Sequence, residues 1–111
     1  MLVARGLVEA LEEKKAEDIV LLDITNISQF TDFFIICSGT SERMLQSLSR
    51  TVENAAKAKF GLNAKVNGKS DEGWITLDYG DLIVHIFSAH QRDYYQLEDL
   101  WAEGKMLLRL K

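Results

Sequence analysis

Apolar positions recur with a helical period along the first fifteen residues. Val3, Leu7 and Leu11 fall four apart, Ala10 widens their stripe, and glutamate and lysine fill the opposite face. This spacing predicts an amphipathic helix over residues 2–15. The period then changes. Ile19 to Ile24 is a short, nearly all-apolar run rich in β-branched residues, bounded by Asp18 and by Thr25-Asn26, and it reads as a buried strand. A polar connection from Asn26 to Asp32, with Ile27 and Phe30 as anchors, leads to a second apolar strand, Phe33 to Ser38.

Gly39-Thr40-Ser41 opens a long helix that runs to about Phe60. Thr40 or Ser41 caps it, and Glu42 suits the first turn because a carboxylate there meets the positive end of the helix dipole. Met44 or Leu45, Leu48, Val52 and Ala55-Ala56 make its buried stripe, and Gly61 ends it in the left-handed conformation. Ala64 to Val66 reads as a short strand, with Asn67-Gly68 as a turn signal.

The most informative stretch is Gly73 to Phe87, GWITLDYGDLIVHIF. A two-residue turn at Gly80-Asp81 makes it a hairpin, because glycine at the first central position permits the required backbone. Tyr79 then pairs with Leu82, Leu77 with Val84, and Ile75 with Ile86. Those six share one wholly apolar face. The other face pairs Asp78 with Ile83, Thr76 with His85, and Trp74 with Phe87. A slip of one residue would turn the aspartate, threonine and histidine into the core, so the register is well specified.

Beyond Ser88, Arg92 to Trp101 reads as a helix, with Tyr95, Leu97 or Glu98, and Trp101 at helical spacing. The last ten residues carry Met106, Leu107, Leu108 and Leu110, and they dock as a short helix or a strand. The order of elements predicts an α/β domain with a mixed five-stranded sheet flanked by helices.

Composition narrows the function classes. At 111 residues the chain is expected to be one domain over 1–111, large enough to bury a core without disulfides or metals. The single cysteine, Cys37, lies inside an apolar strand and reads as a buried, inert thiol. No apolar run reaches the about 18 residues of a membrane span, and Glu9, Glu12 and Glu13 argue against a leader peptide. A cytoplasmic protein is the expectation. The formal net charge is −4. A protein that grips nucleic acid through phosphates needs a basic footprint, so nucleic acid is not expected as the main contact. An acidic surface suits steering towards a basic protein.

The candidate chemistry is thin. Ser38-Gly39-Thr40-Ser41 lies between a strand and a helix, where backbone N–H groups can hold an anion. It carries neither glycine-rich phosphate motif, and a capped strand-to-helix turn accounts for it. Metal-dependent nucleotidyl transfer needs carboxylates converging on two ions roughly 3.5–4 Å apart. Here no D-x-D pair follows the turn, and Asp81 sits at the hairpin tip. His85 suits a general base, with Asp78 as its diagonal neighbour to orient it, but no nucleophile stands beside it. A hydrogen-bonded surface histidine on a sheet accounts for it better. Nor does His90 join it in a metal-ligand spacing. What remains is the second hairpin face. Trp74 and Phe87 beside polar groups resemble an aromatic anchor ringed by specificity contacts, unless a helix of the same chain covers them.

Three blocks decide between these readings. DITNISQFTDFFIICSGTSERMLQSL (Asp23 to Leu48), GWITLDYGDLIVHIF, and RDYYQLEDLW (Arg92 to Trp101) occur in order with characteristic separations. Together they closely resemble the ribosome silencing factor family, also called the Iojap family. The resemblance runs from the first helix to Trp101 and leaves out the tail 102–111. It implies a nucleotidyltransferase-like fold without the catalytic carboxylates, no cofactor and no enzymatic activity. It implies binding to the large ribosomal subunit through large-subunit ribosomal protein fourteen, a basic protein, and steric blocking of the small subunit in starvation or stationary phase. Organellar relatives act in ribosome assembly. On this reading Trp74, Thr76, Asp78, Ile83 and His85, with Tyr94, Tyr95 and Glu98, form the expected docking surface. The same exposed aromatic face is able to close a homodimer when no ribosome is present.

Overall fold

The computed structural model describes residues 1–111. Helix α1 (Leu2–Glu13) and helix α2 (Glu42–Phe60) lie against one face of a single sheet. Its strands are β1 (Glu17–Asp23), β2 (Phe33–Gly39), β3 (Lys65–Lys69), β4 (Trp74–Asp78), β5 (Leu82–Ser88) and β6 (Lys105–Leu110). They run in the order β3-β4-β5-β2-β1-β6. Only β2 and β5 are parallel; every other neighbouring pair is antiparallel. The crossover from β2 to β5 carries α2, which is how a parallel pair is joined without a hairpin.

The local signals act where expected. The Ser41 hydroxyl accepts from the Met44 N–H at 3.1 Å and caps α2, and Gly61 ends the helix at φ 66°. The hairpin β4–β5 has the expected register, with Ile75 opposite Ile86, Leu77 opposite Val84 and Thr76 opposite His85. The Tyr79 N–H donates to the Leu82 carbonyl to close it. Ile75, Leu77, Val84 and Ile86 enter the main core with Leu7, Leu11, Leu45, Leu48 and Val52. Cys37 lies fully buried in that core, and desolvation pushes its thiol up to about 12.

Three expectations are corrected. The sheet has six strands, because the tail forms β6 and pairs with β1. A register shift between Leu21 and Leu22 turns both Leu107 and Leu108 towards the main core. Asn67-Gly68 is not a turn: both residues lie inside β3, and the chain reverses later through a short helical turn, Ser70–Glu72, and Gly73. Gly68 is required for another reason. At φ 88°, a Cβ there would stand 2.1 Å from the Trp74 carbonyl oxygen. Finally, the expected helix Arg92–Trp101 is broken. Helix α3 (Ala89–Tyr95) starts at a Ser88 cap and stops where Gln96 takes φ 46°, and a single turn, α4 (Leu97–Leu100), follows.

That break lets the chain fold back over the sheet's second face. Val20, Leu22, Ile24, Phe34, Ile36, Phe87 and Leu97 form a second core there, with Trp74, Ile83 and Trp101 packed on its margin. The sheet is therefore covered by α1 and α2 on one side, except along the exposed edge strand β3, and partly by α3, α4 and Trp101 on the other.

Candidate docking surface

The second hairpin face divides into a sealed half and an open half. Phe87 is fully buried and His85 is only 6% exposed. Trp74, Thr76, Asp78 and Ile83 are half-buried. Cross-strand pairing places Lys69 opposite Trp74, Asn67 opposite Thr76 and Lys65 opposite Asp78, so β3 extends the open half with exposed polar residues. A cleft of about 500 Å³ lies between Asn67, Thr76, Trp74, Gln91 and Tyr95.

Trp74 is the centre of this face. Its ring lies 4.8 Å from Phe87 and 4.6 Å from Tyr95, centroid to centroid. Tyr95 in turn meets Tyr94 edge-on at 5.0 Å. Tyr94 is 72% exposed, so the aromatic row passes from core to solvent along α3. The Trp74 indole N–H donates to His85 Nδ1 at 3.2 Å. A neutral imidazole that accepts at Nδ1 carries its proton on Nε2, and that nitrogen is buried without a hydrogen-bond partner. Burial alone pushes the His85 pKa down to about 4.

Two of the expected docking residues are not on the surface. His85 lies beneath Trp74 and against Phe34, whose ring meets it nearly perpendicular at 4.6 Å. Alternation assigns His85 to the outer face of the hairpin, and it does not show that the large rings of Phe34 and Trp74 close over a side chain on that face. Glu98 is also turned inward. Its Oε2 accepts from Arg92 Nε at 2.9 Å and lies 2.9 Å from Arg92 Nη2. Nor does Asp78 orient the histidine, since its carboxylate accepts from the Gly80 N–H and supports the hairpin turn.

Arg92 is the residue that sequence reasoning missed. It is buried, and Nη1 donates to the Asp18 carbonyl at 2.8 Å and to the Ser38 hydroxyl at 2.9 Å. The Asp18 carboxylate also accepts two bonds from Arg109, which hold its pKa below the usual carboxylate range. This network ties α3, α4 and β6 to β1 and β2. The available signal was an arginine in a segment that also carries Asp93, Tyr94, Tyr95 and Glu98, and a solvated arginine gives the same pattern.

The strand-to-helix turn offers no free cradle. Ser38 serves Arg92, Ser41 caps α2, and the Thr40 N–H donates to the Met44 sulfur. Nowhere do three His, Cys, Asp or Glu side chains form a group able to hold a metal ion. No helix is long and apolar enough to cross a membrane.

With this geometry in place, the comparison with known proteins is decisive. The profile of the family described as ribosomal silencing factor during starvation matches residues 2–109. The chain belongs to this family. It is 36% identical over 97 residues to the ribosomal silencing factor RsfS of Bacillus subtilis, covering 87% of this chain and 82% of that one. A mouse protein named mitochondrial assembly of ribosomal large subunit protein 1 is 31% identical over 98 residues, which is 86% of this chain and 43% of the mouse protein. A crystal structure of a Chromobacterium violaceum protein superposes with a TM-score of 0.86 at 28% identity, covering 96% of this chain and 91% of that one. The family's match extends into β6, beyond the Trp101 boundary of the sequence resemblance. These relatives are named for ribosomal silencing and for assembly of the large ribosomal subunit.

Proposed function

We propose that this protein represses translation by binding the large ribosomal subunit through large-subunit ribosomal protein fourteen, and that its bulk then blocks the small subunit from joining. It acts in the cytoplasm, without cofactor or bond chemistry. The observation that carries this reading is the aromatic row Trp74–Tyr95–Tyr94, half-open beside the polar residues of β3 and β4 in a family named for ribosome silencing. Large aromatics on a rigid sheet, rimmed by polar groups, are what an interface centre requires. A standard interface takes roughly 800 Å² from each partner, and on this reading the β3–β4 face and α3 supply it together.

Charge supports the choice of partner. The chain is acidic overall, Glu72 borders the cleft beside Trp74, and Asp71 and Asp81 are also exposed. Lys65 and Lys69 interrupt the acidic field, so the complement is a basic surface with some acidic positions. Within the docking set, contact falls to Trp74, Thr76, Asp78, Ile83, Tyr94 and Tyr95, while His85 and Glu98 act from beneath.

The test is co-sedimentation with salt-washed large subunits, followed by a subunit-joining assay without nucleotide. The wild type is expected to sediment with the subunits and to lower the yield of joined ribosomes. Trp74→Ala is expected to weaken binding by roughly 30-fold or more, the scale of a hot-spot aromatic. Wild-type protein that stays in the supernatant sinks the reading. The mouse relative's name favours a second role in large-subunit assembly. That role predicts tighter binding to precursor particles than to mature subunits in the same assay.

A further inference from the structure

We infer that His85 is a positioning residue of the docking surface: its Nδ1 holds the Trp74 indole in the rotamer that the partner reads, and His85 itself never meets the partner. The inference rests on the docking reading above and adds the device that prepares it.

Two observations carry it. The first is geometric. Trp74 is half-open, and its ring contacts with Phe87 and Tyr95 are apolar and tilted. Such contacts hold a ring against a surface without fixing its edge. The indole's one directional contact is the N–H donated to His85 Nδ1 at 3.2 Å. The imidazole can serve as a fixed reference because it is itself buried and packed between two rings. It stacks within 10° of the Phe87 plane at 6.2 Å and meets Phe34 nearly perpendicular at 4.6 Å.

The second observation is the orphaned nitrogen. His85 Nε2 is buried and unpartnered. A phenyl ring of similar shape would fill the same space between Phe34 and Phe87 and would remove the orphaned Nε2–H, leaving only the half-open Trp74 indole N–H without its acceptor. Packing alone therefore favours phenylalanine here. What histidine supplies and phenylalanine cannot is the acceptor for the indole. A binding surface gains from such an arrangement because an anchor already held in its bound rotamer loses less freedom on docking.

The experiment separates positioning from folding by using two variants whose effects cross. His85→Phe keeps the ring and removes the acceptor. His85→Asn keeps an acceptor at the Nδ1 position and loses the ring. Thermal midpoints are expected in the order Phe at or above wild type, then Asn. Affinity for salt-washed large subunits is expected in a different order: wild type first, then Asn, with Phe weakest by about threefold to tenfold. Labelling with ¹⁵N-tryptophan, with the two indoles assigned through Trp101→Phe, supplies the spectroscopic readout. The Trp74 indole proton is expected to exchange slowly in wild type and Asn, and to shift and exchange faster in Phe.

Affinities that follow the order of the midpoints overturn the proposal, as does a Phe variant that binds like wild type. Should His85→Phe fail to fold, a rapidly exchanging Trp74 indole in the wild-type protein overturns it by itself. Trp74→Ala in parallel tells the two readings apart. If it binds normally, the docking surface is misplaced; if it binds weakly while His85→Phe binds normally, only the positioning role fails.

Discussion

Trp74 and His85 stand diagonally across the antiparallel pair β4–β5, and the indole N–H of one ends on the Nδ1 of the other at 3.2 Å. The contact needs a neutral imidazole, and burial keeps it neutral by lowering its pKa to about 4, against 6.5 for an exposed histidine. The acid response of stability follows from this. Between pH 6.5 and about 4 the unfolded chain binds a proton at His85 that the folded chain refuses. Stability therefore falls as pH falls through that window, by up to about 1.4 kcal/mol per unit from this group. Urea titrations at pH 7, 6 and 5 are expected to show the loss in wild type and a shallower loss in His85→Phe. Equal slopes in the two proteins would show that another group carries the response.

Arg92 gathers Asp18, Ser38 and Glu98 around one buried guanidinium. Removing one partner of a buried ionic group leaves the other charge uncompensated, at a cost of about 3 kcal/mol or more. Arg92→Ala is expected to destabilise on that scale, and Arg92→Lys by nearly as much, because one ammonium cannot reach the same spread of acceptors. Denaturant midpoints check both. A loss under about 1 kcal/mol for Arg92→Ala would mean that the network adds little beyond a surface pair.

Gly68 and Gly80 both have positive φ, 88° and 91°, and they differ in surroundings. A methyl at Gly80 meets nothing within 4 Å, whereas one at Gly68 would overlap the Trp74 carbonyl at 2.1 Å. Gly80→Ala is expected to cost only the backbone strain, about 1–2 kcal/mol. Gly68→Ala must push β3 from β4 and is expected to cost clearly more, and to weaken subunit binding by disturbing the face beside Trp74. Comparing the two variants by thermal melting and amide exchange along β3 tests the distinction.

Tyr94 is mostly exposed and touches little except Tyr95. Tyr94→Ala is expected to leave stability within about 0.5 kcal/mol of wild type while lowering affinity for large subunits. Unchanged affinity would confine the docking centre to Trp74 and the β3–β4 strands.

The sequence alone determined the pieces whose causes are local. Hydrophobic periods, the Ser41 cap, the Gly61 stop and the Gly80 turn fixed α1, α2, the buried strands and the hairpin register, because each depends on residues a few positions apart. Three ordered blocks sufficed for the family. Tertiary structure decided the rest. Asn67-Gly68 looks like a turn until the Trp74 carbonyl is seen beside Gly68. The apolar tail reads as helix or strand until β1 offers it a free edge. His85 and Glu98 alternate or space outward along their own elements, yet the rings of Trp74 and Phe34 enclose the histidine and the Arg92 guanidinium holds Glu98 inward. Alternation along a strand tells which residues share a face; whether water or another part of the chain meets that face depends on contacts between residues far apart in sequence.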